Sequence, residues 1–450
     1  MRRLRFLPRL ATTVAALATL ALVAAACGSG DTGDDDVGNG ATDGGDAGDV
    51  VLFSTQFNPV EESDRIRNEV LADFSGTADF VTAATEGEFV DRVTAESQAG
   101  SGDVSLLGAL HGTFVDLQAQ DMLMDLSDVA DDLADAGIPQ DLLDLGTLGT
   151  DTQYYIPWVQ ASYVVAVNNE ALEYLPDGAD VEALTYDEFL EWAQNTDEET
   201  GAPRFGFPAG EEGLMHRFLQ GYLVPSFTGG VVTTFDDTAG WEYLAELWEF
   251  VHPQSLTYEF MQDPLLNGEV LVAWDHVARL RTALDSRPDD FIVVPVPAGP
   301  EGRGHMPVVA GLAIPSTAPN ADGAKELIRY LLDAEVQAAT MAAVGFFPVV
   351  EGAEAAEVTP GIQLEADAVA RQTEADDALL VLLPIGLGDQ GGAFNDIYRN
   401  AFERVAVSGE DASAAVAQEA EGLRQLMQTT GAACWVPDPP SDGPCPVGAG

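Results

Sequence analysis

Two short extended runs stand almost back to back in the stretch Gln153–Leu172. The first is Tyr154 to Trp158, with Pro157 interrupting its register because proline has no N–H for a ladder. The second is Tyr163 to Val167. Asn168 and Asn169 punctuate it, and a helix is expected from about Glu170. An α/β pattern precedes this passage and a fresh one follows it. The preceding block reads as strand Val51–Ser54, a helix over 61–74 with Ile66, Val70 and Phe74 on one face, and strand Ala78–Thr82. A helix capped by Thr85 follows, with Phe89 and Val93 on one face, then strand Asp103–Leu107 and a helix from Thr113. Such alternation predicts a mainly parallel sheet with helices on its faces. Extended chain between two such blocks is where a backbone passes from one lobe to another, so the spacing predicts a two-lobed α/β protein with a cleft beneath the crossing.

The second block supplies equally local signals. Leu184-Thr185-Tyr186-Asp187-Glu188-Phe189 spells a capping box, Thr185 with Glu188, and a hydrophobic staple, Leu184 with Phe189. Strands are expected at Glu269–Trp274, Phe291–Val296 and Val308–Ile314, a helical pair over 321–344, and further helix over 395–429 after a Gly-rich turn at 386–392.

Charge removes whole classes of partner. The chain has 75 acidic against 19 basic residues, a net charge of −56, and one lysine, Lys325. Phosphate backbones and anionic lipid headgroups need clustered Lys and Arg, so nucleic acid is a poor partner. The first nine residues hold Arg2, Arg3, Arg5 and Arg9, and an uncharged apolar run follows from Leu10 to Ala25. This is an export signal, and its end, Ala24-Ala25-Ala26-Cys27, resembles a bacterial lipoprotein signal in which Cys27 is lipidated. The alternative is ordinary secretory cleavage near Ala26. Residues 27–49, rich in Gly and Asp, cannot bury enough apolar surface to order themselves and read as a tether. Their Asp residues lack the spacing of a calcium loop. Cys434 and Cys445 then remain as an even pair, expected to form a disulfide in an exported protein.

No catalytic signature emerges. The chain has no Gly-x-Ser-x-Gly elbow, phosphate-binding Gly-Lys-Ser/Thr loop, His-Glu-x-x-His or Cys-x-x-Cys. No enzyme, cofactor or metal is expected. In open α/β sheets ligands lie beyond the carboxyl ends of the strands, which places Gln56, Asn58, Glu86 and His111 on one rim. Trp158 and Gln160 flank the crossing. Trp274, Asp275 and His276 end a strand of the second block. Asp275 either accepts hydroxyl hydrogen bonds or caps the following helix. Gly311 serves either a close backbone approach or packing.

With these residues in view, the chain resembles the extracellular solute-binding proteins of ATP-driven importers, in the sugar-binding group that includes maltose-binding protein. The resemblance covers roughly residues 50–430. It rests on the leader, Asp103-Val104 with Met122-Leu-Met-Asp-Leu126, and Tyr155-Ile-Pro-Trp158 through Leu172. It rests also on Leu184–Phe189 and on Asn267–Trp274 through Gly311-Leu-Ala-Ile-Pro315 to Gly345-Phe-Phe-Pro348. The departures are Val167-Asn168-Asn169 and Ala273-Trp274-Asp275-His276, where specificity varies in that family.

The resemblance implies a two-lobed periplasmic-binding-protein-like fold of type II, closing on its ligand by a hinge. It places lobe one at 50–157 plus 307–350 and lobe two at 158–306 plus 351–430, between a signal peptide and tether at 1–49 and a disulfide-stapled tail at 431–450. It places a solute-facing aromatic at Phe346 or Phe347. It implies a monomer anchored outside the cytoplasmic membrane, periplasmic or at the cell surface, delivering a carbohydrate to a membrane permease. The alternatives are a glycerophosphodiester, a polyol or a polyamine as the solute, and a secreted α/β hydrolase.

Overall fold

The computed structural model describes residues 47–58, 60–353 and 358–448. The expected signal peptide, Cys27 and most of the expected tether therefore lie outside the described residues. The folded body begins at the tether's last residues, because the Ala47 and Asp49 carbonyls accept from Asn320 Nδ2.

Twelve strands can be numbered among the described residues. They are β1 Asp49–Ser54, β2 Thr77–Thr82, β3 Leu106–Leu110, β4 Ile156–Ala161, β5 Tyr163–Asn168 and β6 Phe205–Gly206. The rest are β7 Val272–His276, β8 Phe291–Val294, β9 Arg303–His305, β10 Val308–Ala313, β11 Phe347–Pro348 and β12 Ala378–Leu380. The first sheet runs β11-β4-β10-β3-β1-β2 and the second β6-β7-β5-β8, with β9 and β12 paired separately.

The expected β-α-β-α-β order of the first block is present, and β1 is parallel to both β2 and β3. Neither sheet as a whole is mainly parallel. β10 returns antiparallel against β3 and β4, β11 is antiparallel to β4, and β5 is antiparallel to β7 and β8. The reason is topological: a strand re-entering a sheet from the other lobe does not arrive through a helical crossover, which is what enforces parallel pairing.

The crossing passage differs in detail from its sequence reading. β4 runs to Ala161, beyond Trp158, and only Ser162 separates it from β5 in the second sheet. The first crossing is thus at Ser162 and not at 157–158. The register of β4 against β10 slips where Ala310 faces Val159 and Gly311 faces Pro157, leaving Trp158 as the extra residue of a bulge. Pro157 breaks the ladder there, as its missing N–H requires. The chain crosses back between β9 and β10, and again between β11 and the helix Pro360–Thr373, which packs beside the helix Val277–Ser286.

Local signals set the helices. Thr185 caps Tyr186–Thr200 with the full capping box, and Leu184 and Phe189 are buried together. Thr85 caps Glu86–Ala99 through the Glu88 amide, putting Phe89 and Val93 into the core. Each such cap contributes about 1 kcal/mol. The helical pair resolves into Ala321–Leu331 and Ala334–Val344.

The C-terminal helices Gly391–Phe402 and Ala412–Thr430 join the core of the second lobe. The tail is packed beside them. Cys434 and Cys445 are joined by a disulfide, and Trp435 is buried against Phe394 with ring centroids 5.6 Å apart. Buried Asp438 accepts from the amides of Val231, Val232 and Thr233 and from the Thr233 hydroxyl. The Val436 carbonyl accepts from the Leu382 amide, so the tail props the segment that follows, Leu383–Gly388.

Candidate functional site

A cleft of about 710 Å³ opens between the two lobes. Lobe one lines it with Glu86 and Asp91 from the start of the helix Glu86–Ala99, and with Thr113 and Asp116 from the helix His111–Gln118 that follows β3. Lobe two contributes Arg217, the segment Leu383–Gly388, and Gly391, Gly392 and Asn395 at the start of Gly391–Phe402. The Thr113 hydroxyl donates to the Glu86 carboxylate, which orients it. The lobes touch at the edge of this cleft. A Cβ on Gly112 would lie 3.1 Å from the Pro384 carbonyl oxygen, so a residue without a side chain is what lets the walls meet so closely.

Of the residues singled out by sequence, only Glu86 lines this opening. Gln56 and Asn58 serve the turn after β1. Gln56 donates to Thr55 Oγ1, and exposed Asn58 donates to the Thr55 carbonyl. Between them Phe57 is buried at a φ of 58°, in the left-handed region, a strained position for a bulky residue that the surroundings must hold. His111 is buried, shares a hydrogen bond of 2.9 Å with the Tyr155 hydroxyl, and burial lowers its pKa to about 4. Gly311 is a packing requirement, since a Cβ there would overlap the Tyr155 ring. Gln160 donates to the Pro348 carbonyl at 3.2 Å and fastens β11 to β4.

The aromatic candidates form a separate feature, and none of them lines the cleft. Trp158 is fully buried and meets Phe57 edge to face at 5.3 Å; Phe57 meets Phe346 at 5.0 Å. Phe346 lies 6.2 Å from His276, which packs on Tyr163 at 5.0 Å, and Tyr163 stacks on buried Trp274 at 4.9 Å. This array links lobe one to lobe two through the hinge segment. Phe347 is buried in β11 beside it. The indole Nε1 atoms of Trp158 and Trp274 find no hydrogen-bond partner.

Asp275 and His276 also sit deeper than their sequence position suggests, because β7 runs through both of them and ends at His276, where the helix Val277–Ser286 begins. The capping role weighed for Asp275 belongs to His276, whose Nδ1 accepts from the Ala278 amide at 3.2 Å. Asp275 accepts from the amides of Met261 and His276, and burial raises its pKa to about 7.

Sequence reasoning missed Arg217, Asn395 and the lobe-two loop as walls of one site. The available signals were the Gly-rich turn at 386–392 and the scarcity of basic residues in so acidic a chain. Among the described residues no group of His, Cys, Asp and Glu is arranged to hold a metal.

These burial effects fix how stability responds to pH. All five histidines are held below their ordinary pKa, in each case first by burial. The unfolded chain takes up those protons near pH 6.5 while the folded chain does not, so acidification favours unfolding. Asp275 and Glu365, raised by burial to about 7, act oppositely: folded, they are protonated at pH values where the unfolded chain has ionised. Five groups oppose two, and the melting temperature is expected to be lower at pH 5 than at pH 7. A melting temperature that rises on acidification by differential scanning calorimetry would assign control to the two carboxyls.

The sequence profile of the bacterial extracellular solute-binding proteins matches residues 69–338, more than half of the chain. Among curated proteins no sequence matches. Solved structures similar to this one include the sugar-binding protein MalE of Xanthomonas citri, at a TM-score of 0.67 and 16% identity, covering 84% of this chain and 97% of that one. Maltose-bound MalE3 of T. maritima is similar at 0.66 and 16%, covering 84% and 100%. UgpB of Mycobacterium tuberculosis, in complex with glycerophosphocholine, is similar at 0.65 and 15%, covering 84% and 98%. These identities carry the two-lobed fold, and the profile carries the family. Proteins of this kind bind solutes and do not turn them over, which sets the hydrolase alternative aside. The chain belongs to the bacterial extracellular solute-binding proteins.

Proposed function

We propose that this protein captures a carbohydrate, a mono- or oligosaccharide, in the interlobe cleft and delivers it to the membrane permease of an ATP-driven importer. We propose further that it works as a monomer held at the outer face of the cytoplasmic membrane by lipidated Cys27. The observation that supports solute capture best is the composition of the cleft: each lobe supplies hydrogen-bonding side chains to one opening of about 710 Å³, a size suited to a small molecule. A solute touching both walls favours the closed arrangement by its differential affinity, and a permease that reads the closed arrangement then receives loaded protein.

One observation favours a second solute class, the glycerophosphodiesters. The residues lining the open cleft include no aromatic ring but do include an arginine. Sugar rings present apolar C–H faces that suit aromatic platforms, whereas a phosphodiester suits a guanidinium. Thermal-shift measurements on protein lacking the leader, against sugars, polyols, amines and phosphodiesters, separate the classes, because stabilisation follows ligand concentration over Kd. The carbohydrate reading expects sugars to give the largest shift. A shift with phosphodiesters or amines and none with sugars overturns it. For the anchor, cells fed labelled palmitate should label the native protein, and a Cys27→Ser protein that stays labelled would contradict lipidation.

A further inference from the structure

Four arginines, Arg65, Arg204, Arg217 and Arg279, form no ion pair with a carboxylate among the described residues, and of these Arg217 is the one that donates to a side chain rather than to backbone carbonyls. Arg281, Arg303 and Arg399 each meet a carboxylate. Arg217 forms no such ion pair among the described residues, although acidic residues outnumber basic ones several-fold. Its guanidinium donates to Gln220 Oε1 at 3.1 Å, and Gln220 Nε2 donates to Asn395 Oδ1 at 3.0 Å. Gln220 is fully buried, so this relay ties the arginine to the helix Gly391–Phe402 of the same lobe. The helix Met215–Phe218 passes directly into a π-helical turn, Leu219–Leu223, a distortion frequent at functional positions. Arg217 is also the one basic residue among those lining the cleft, facing the carboxylates of Glu86, Asp91 and Asp116 on the other lobe. Burial holds its guanidinium below the ordinary pKa, opposed in part by Glu86.

We propose that Arg217 is the specificity-determining residue of the cleft, receiving an oxygen acceptor of the solute while Glu86 on the opposite lobe receives a hydrogen-bond donor of the same molecule. The proposal rests on the solute-binding reading and narrows it. A guanidinium only donates and an ionised carboxylate only accepts, so the pair selects a solute with acceptor and donor groups on opposite sides. A sugar satisfies both through hydroxyls, and a zwitterionic phosphodiester through its phosphate and its remaining polar groups. A polyamine brings donors alone, which suit the carboxylates of the cleft but leave the guanidinium of Arg217 without an acceptor.

The test uses the whole exported protein with Arg217→Met, Arg217→Lys and Glu86→Gln, and with maltose, glycerophosphocholine and spermidine as probes in calorimetry. The expected result has two parts. Without any probe, the melting temperature of Arg217→Met falls by no more than about 5 °C, the cost of leaving the buried Gln220 Oε1 without its donor. The acceptor-bearing probe that binds the native protein loses about 10–100-fold in affinity with Arg217→Met, recovers part of it with Arg217→Lys, and weakens with Glu86→Gln. A larger fall in the unliganded melting temperature would make Arg217 structural and overturn the proposal. So would equal binding of that probe by Arg217→Met, or spermidine binding the native protein most tightly. If no probe binds the native protein, that result counts against the solute classes proposed above, and the unliganded melting temperature still decides for or against Arg217.

Discussion

Trp158→Ala is expected to destabilise the folded protein by about 3–5 kcal/mol, the range for removing a large buried aromatic side chain. The indole has no exposed surface, so its loss leaves a cavity that its neighbours fill only in part. The largest neighbour is Phe57, packed edge to face on the indole and held at a φ of 58°; without that support its strained backbone loses a constraint. The Trp158 carbonyl, which accepts from Gln337 Nε2 at 2.9 Å, stays in place, so the damage is confined to the side chain. Urea titration should show a lower midpoint with an unchanged slope. A variant that melts like the native protein but binds solute poorly would instead return Trp158 to the cleft wall.

The second large effect is expected at Arg281→Met. Arg281 stands on Val277–Ser286 of lobe two and donates to the carbonyls of Val344 and Gly345, at the end of the lobe-one helix Ala334–Val344, each at 2.9 Å. It also pairs with buried Glu365 at 2.8 Å. Gly345 is at a φ of 67°, and a Cβ there would overlap the guanidinium, so this hinge corner is built around the arginine. Removing it strands a buried carboxylate, a loss of about 3 kcal/mol. The loss should depend on pH. Burial, opposed by Arg281, places the Glu365 pKa at about 7. At pH 6 the carboxyl is already largely protonated and misses its partner less; at pH 8.5 it is charged and misses it fully. Urea midpoints of the native and variant proteins should therefore differ more at pH 8.5 than at pH 6. Equal differences would mean that the carbonyl contacts alone carry the effect.

Local chemistry was legible in the sequence wherever one segment decided the outcome. The Thr185–Glu188 capping box, the Thr85 cap and the strands β1 and β2 follow from neighbours a few positions apart, whereas β3 runs Leu106–Leu110, three residues beyond the expected Asp103–Leu107. Pro157 announced a broken register, and the register breaks there. The direction of the later strands was not legible, because it depends on which lobe the chain returns from. Burial depth was not legible either: Trp158, Trp274 and Asp275 have the residue types of a ligand site but are enclosed by elements from distant parts of the chain. In the candidate cleft, Glu86 was found because it follows a strand of a simple β-α unit.

The sequence by itself determined the alternation of strands and helices, the family resemblance, and the acidic balance that makes nucleic acid a poor partner. The tertiary structure alone decided what the cleft is made of. Gln220 and Asn395 are 175 positions apart, yet they bond to each other and aim Arg217 at the wall that carries Glu86. No periodicity or spacing encodes such a contact, because it arises only when two returning segments pack on one core and bring their polar ends to the same opening.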